Sequence, residues 1–138
     1  MKESQTSGYE EIEHTADCQV RVWGKDLSFL LMQAAISMNT LIGMALKPEP
    51  RLTRNFSLSF SDIEELLVSF LNELLFFIEM EGIGFDQFKL SIDDHQLDAI
   101  VYGAPIASLR KEIKAVTYHN LKIENTSHGL EAHIVFDV

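Results

Sequence analysis

One cysteine, three prolines, one tryptophan and only 11 Lys and Arg occur in 138 residues, and each scarcity excludes something. A lone Cys18 can form no internal disulfide and no cysteine-rich zinc site. Against those 11 bases stand 21 acids, for a formal net charge of −10. Such a chain repels a phosphate backbone on average, so direct nucleic-acid binding is not expected as its main activity. A cation or a basic protein partner suits it better. No apolar run is long enough for a bilayer: the longest, Leu66 to Met80, is short and interrupted by Asn72, Glu73 and Glu79. Met1 to Gly8 is polar and lacks the apolar stretch of a signal peptide, so it reads as a disordered tail on a cytoplasmic protein. There is no internal repeat, nucleophile elbow, phosphate-binding glycine loop or zinc-ligand spacing.

What remains is enough for one core. With 46% apolar residues, residues 9–138 form a single domain by size and composition. Tyr9 to Glu13 and Cys18 to Trp23 read as short strands; in the second, Cys18, Val20 and Val22 alternate with Gln19, Arg21 and Trp23. Asp26 is a helix N-cap, followed by apolar residues at three- and four-residue spacing from Leu27 to Ile42 and a stop at Gly43. Arg51 to Phe60 alternates as a strand. Ser61 and Glu64 fit a capping box ahead of a second helix reaching Glu81, with Gly82 as its C-cap. Phe85 to Asp93 and Gln96 to Ala104 form a hairpin about Asp93-Asp94-His95, and Pro105 to Lys111 reads as a loop. Ile113 to His119 is a strand or an irregular turn. Leu121 to Asn125 and Leu130 to Val138 close the chain as a hairpin. The expected fold is α+β: a two-layer, mostly antiparallel sheet of about seven strands packed with two main helices.

The chemistry that stands out lies at the two ends. Glu13-His14-Thr15-Ala16-Asp17 sits where the chain bends between two strands, and Asp137 is followed by Val138 with its main-chain carboxylate. If the terminal strands are neighbours, Asp17, Asp137 and the Val138 oxygen converge. That is an oxygen-only set suited to a hard divalent cation and not to zinc. Each aspartate alone has a plainer explanation, as a turn cap or a solvated strand end. Lys114 is an ordinary surface lysine unless it balances such a cluster. His14 and His119 are candidates to support the ligands, or simply hydrogen-bonded within a bend and a strand. Cys18 alternates with core positions, where a thiol is inert.

Four stretches, in order, resemble the archease family: Glu13-His14-Thr15-Ala16-Asp17 with Gly24-Lys25; Leu67 to Leu75; Glu112 to Leu121; and Val135-Phe136-Asp137-Val138. The resemblance covers nearly all of the chain from Tyr9. It implies a non-catalytic protein cofactor of the RtcB-type RNA ligase of tRNA splicing and RNA repair, promoting guanylylation of the ligase by GTP and its multiple turnover. It also implies a divalent-cation site (calcium, magnesium or manganese) with Asp17, Asp137 and Val138 as ligands and Lys114 as a functional lysine. Two rivals stand beside it. One is a chaperone-like adaptor for a tRNA-modifying enzyme such as a methyltransferase, acting through an apolar surface. The other is a metal-dependent hydrolase using Asp17, Asp137 and His14.

Overall fold

The computed structural model describes residues 7–12, 18–118 and 121–138. Among them lie nine strands and two helices: β1 (Gly8–Ile12), β2 (Cys18–Gly24), α1 (Leu27–Leu41), β3 (Ala45–Leu46), β4 (Leu52–Ser59), α2 (Ile63–Glu81), β5 (Ile83–Ile92), β6 (Gln96–Ser108), β7 (Ala115–Thr117), β8 (Ile123–Thr126) and β9 (Gly129–Asp137). Every strand pair is antiparallel, in two sheets. The five-stranded sheet runs β1-β2-β9, with β7 and β8 sharing the far edge of β9; the four-stranded sheet gathers β3, β4 and β5 around β6. The α+β expectation therefore holds, with nine strands in two sheets where about seven were expected. Gly8, assigned to the tail from composition, is the first residue of β1.

Both helices start as their sequences demand. The carboxylate of Asp26 accepts from Phe29 N at 3.0 Å and caps α1. For α2 the expected box of Ser61 and Glu64 shifts by one residue. Asp62 is the N-cap, accepting from Glu65 N at 2.8 Å, while Glu65 reaches back to Ser61 N at 2.7 Å. The aspartate wins because its carboxylate accepts more strongly than a serine hydroxyl at the positive end of a helix. Glu64 is thereby left for another task. Gly82 ends α2 with φ of 66°, a left-handed conformation that favours glycine.

The core is one cluster shared by both layers. Val20, Val22, Ala132, Ile134 and Phe136 line the inner face of the five-stranded sheet, against Leu30, Leu31, Ala34 and Met38 of α1. On the other side, Phe70 of α2 lies 6.3 Å from Phe56 and 6.2 Å from Phe88, and Phe77 meets Phe85 edge-on at 5.3 Å. Such ring pairs add about 0.5–1.5 kcal/mol each beyond area burial.

The loop expected over Pro105 to Lys111 is shorter than composition suggested, because β6 continues to Ser108. Pro105 is tolerated where the neighbour on one side of β6 changes from β4, ending at Leu52–Gly103, to β3, entering at Leu46–Ile106. A register shift between Phe85 and Gln87 leaves Asp86 out of the ladder. Arg51 holds that carboxylate through two hydrogen bonds of 2.7 and 3.2 Å, which raises its own pKa. Gly103 lies against the Gly84 carbonyl opposite this bulge, where any Cβ would collide.

Candidate functional site

The end of β9 is the crossing point of the molecule. Inward Ala132, Ile134 and Phe136 alternate with outward Glu131, His133, Val135 and Asp137. On one side the β2 register runs Trp23–Glu131, Arg21–His133, Gln19–Val135 and Cys18–Phe136. On the other, β7 pairs Ala115 with Asp137, and Lys114 N extends the ladder to the Asp137 carbonyl at 2.7 Å. The adjacency assumed when read from sequence is thus present for β2, the second strand, while the first strand β1 lies beyond it and does not touch β9 in the ladder. Asp137, Val138 and Lys114 stand together at one end of it, all exposed. The Lys114 ammonium makes no ion pair among the described residues.

Asp17, His14 and His119 lie outside the described residues. Among those described, no three His, Cys, Asp or Glu side chains converge as metal ligands, so Asp137 and Val138 hold at most part of a cation site by themselves. The donor chemistry still fits a hard cation: a carboxylate and a main-chain oxygen, on two exposed residues. The nearby thiol is engaged elsewhere. Cys18 packs at the rim of the core, with the Lys111 ammonium 3.9 Å from its sulfur.

The outer face beside the tip is a polar lattice. Arg21 bonds Glu10 at 3.2 Å and Glu131 at 3.1 Å and lies 4.5 Å above the Trp23 ring. This ties β1, β2 and β9 together across the sheet. On the second sheet, the Asp98 carboxyl is held below its usual range by the Ser57 hydroxyl at 2.6 Å and the Gln96 amide at 2.9 Å.

Two residues that sequence reasoning did not place in the site support it from α2. Asn72 Oδ1 accepts from Val116 N at 3.3 Å, and Glu64 Oε2 accepts from Ile123 N at 2.9 Å. They occupy amides on β7 and at the start of β8, the two short strands along β9. The available signal was a polar residue breaking an apolar run. Asn72 was legible as an interruption, but its partner was not. No helix among the described residues is long and apolar enough to cross a membrane.

With this geometry in hand, the chain can be set beside known proteins. The sequence profile of the Archease protein family matches residues 9–138. Protein archease of Methanosarcina acetivorans is 33% identical over 98% of this chain and 99% of its own length. Protein archease of Pyrococcus abyssi is 33% identical over 88% and 91%. A crystal structure from Thermotoga maritima, described as an archease and possible chaperone, superposes with a TM-score of 0.72 at 27% identity, covering 94% of this chain and 96% of that one. The solution structure of Methanobacterium thermoautotrophicum protein 1598 gives 0.70 at 28% identity, covering 95% and 99%.

Proposed function

This chain belongs to the archease family, and from that premise we propose that it is a non-catalytic activator of an RtcB-type RNA ligase, promoting the ligase's guanylylation by GTP. The observation that carries the reading is the exposed grouping of Asp137, Val138 and Lys114 where β9 ends between β2 and β7. The outward pairs of β2 and β9 step from Trp23–Glu131 through Arg21–His133 to Gln19–Val135. In sequence, Asp17 immediately precedes Cys18, the first residue of β2.

Asp17, Asp137 and the main-chain oxygen of Val138 would hold a hard divalent cation, calcium, magnesium or manganese. When bound, that ion supplies positive charge to phosphate oxygens. The chain's own part is to aim those oxygens from a rigid sheet end and to hold the Lys114 ammonium beside them. With a net charge of −10, the protein is steered toward a basic nucleotide-binding cleft. Its place is the cytoplasm, where such a ligase works.

The test is a guanylylation time course of the cognate ligase with labelled GTP and manganese. This protein is absent, present in substoichiometric amount, or carries Asp17→Ala. The expected result is acceleration by the wild type, lost in the variant. Equal rates in all three arms would refute the reading. A second reading, an adaptor for a tRNA-modifying enzyme such as a methyltransferase, is favoured by Phe76 and Met80. They stand one turn apart on α2, 50% and 68% exposed. It predicts that charging these two residues, and not Asp137, abolishes activity.

A further inference from the structure

Between α2 and the segment that follows β6 lies an apolar cavity of about 140 Å³, lined by Ile42, Leu75, Ile78, Leu109 and Ile113. Cavities of about 150 Å³ with such walls accept a benzene-sized group, so this one suits a single large apolar side chain. Leu109 forms its outer wall and is 40% exposed. Glu79 and Glu112, both exposed, also line it, neither in an ion pair among the described residues. The third charged lining residue, Lys111, has its ammonium 3.9 Å from the Cys18 sulfur.

The wall and the tip belong to one strap. Arg110 N and Lys111 N both donate to the Ile42 carbonyl at the end of α1, at 2.8 and 3.3 Å. Five residues after Leu109, Lys114 N bonds the Asp137 carbonyl. The chain between them spans at most ~18 Å, well inside the roughly 30 Å diameter of the ~800 Å² patch that one partner covers in a standard interface.

We infer that this cavity is the anchor point of the same partner that the tip addresses, receiving a large apolar side chain flanked by Lys or Arg. The inference rests on the activator reading and deepens it by naming a second point of contact. Apolar burial in the cavity supplies the hold, and the Glu79 and Glu112 carboxylates select a basic neighbour and speed encounter. The anchor fixes the distance and angle at which Asp137 and Lys114 meet the ligase.

The experiment measures binding of the cognate ligase to the full chain by surface biosensor, in low and high salt. Wild type, Leu109→Glu and the double variant Glu79→Lys/Glu112→Lys are compared, each checked by its melting temperature. Leu109→Glu is expected to weaken binding about tenfold or more, the loss of one hot-spot contact. The double variant is expected to slow association and flatten its salt dependence. If Leu109→Glu fails to fold, Leu109→Ser removes the wall without adding charge and carries the test. Binding by all variants equal to wild type overturns the inference and leaves the activator reading standing. A wild type that does not bind the ligase overturns both.

Discussion

The two sheets are centred on different kinds of strand pair. In the four-stranded sheet, β5 and β6 are joined by three residues, Asp93 to His95, and pair from Ile83–Pro105 to Ile92–Leu97. In the five-stranded sheet, β2 meets β9 from the far end of the sequence, at Cys18–Phe136 through Gly24–Leu130. That central hairpin is local, although β3 and β4 reach β6 from far along the chain at Leu46–Ile106 and Leu52–Gly103, and the sheet carries no residue of the candidate site. The second sheet depends on a long chain closure, which is slow to form, and carries all of the site residues that the structure describes. The lesson is one of placement. The tip is exposed, with few side-chain partners among the described residues, yet its strand is clamped by β2 on one side and by β7 and β8 on the other. A rigid frame around an exposed end is what a protein needs to present ligands to another molecule.

The sharpest way to break this contrast is to cut the core beneath each sheet. Phe70 under the four-stranded sheet and Phe136 under the five-stranded one are both fully buried, in one continuous cluster. Phe70→Ala and Phe136→Ala should each cost about 3–5 kcal/mol, read from urea denaturation followed by far-UV circular dichroism. Each variant should show one transition shifted to lower urea. Two separated transitions in either would mean that the sheets are independent units.

A smaller effect should separate support from core. Asn72→Ala leaves the Val116 amide without its acceptor, at a cost of about 1–2 kcal/mol. Amide exchange by NMR should quicken at Val116 and its β9 partner Phe136, while β5 and β6 amides keep their protection. Uniform acceleration across both sheets would show that Asn72 acts on global stability and not on β7.

What was legible in the sequence was periodicity and turn chemistry, in both sheets. Alternation and turn chemistry located β4, β5 and β6, and apolar spacing located both helices with their caps to within a residue. The two-residue β3 left no periodic trace, and β6 outran its expected end because Pro105 was read as a breaker. At Pro105 the ladder neighbour changes, so the missing N–H removes no bond. The cap of α2 moved from Ser61 to Asp62 because two polar residues competed for one position and only their relative acceptor strength decided it. The tip was legible as residue types, Asp137, Val138 and Lys114, but not as a place. Period-2 alternation says which face a residue takes and nothing about which strand lies beside it. Glu64 and Asn72 were hidden for the same reason, since their partners are main-chain amides far along the chain. His14, Asp17 and His119 lie outside the described residues, so their part in the tip rests on sequence.

The most direct test of the account is isothermal titration of manganese, and separately of calcium, into the wild-type chain and into Asp17→Ala and Asp137→Ala, with melting temperatures recorded alongside. The account predicts one site per chain in the wild type, at least tenfold weaker in either variant, from residues at opposite ends of the sequence. Binding undiminished in both variants would contradict it, because no cation would then be held where β2 begins and β9 ends.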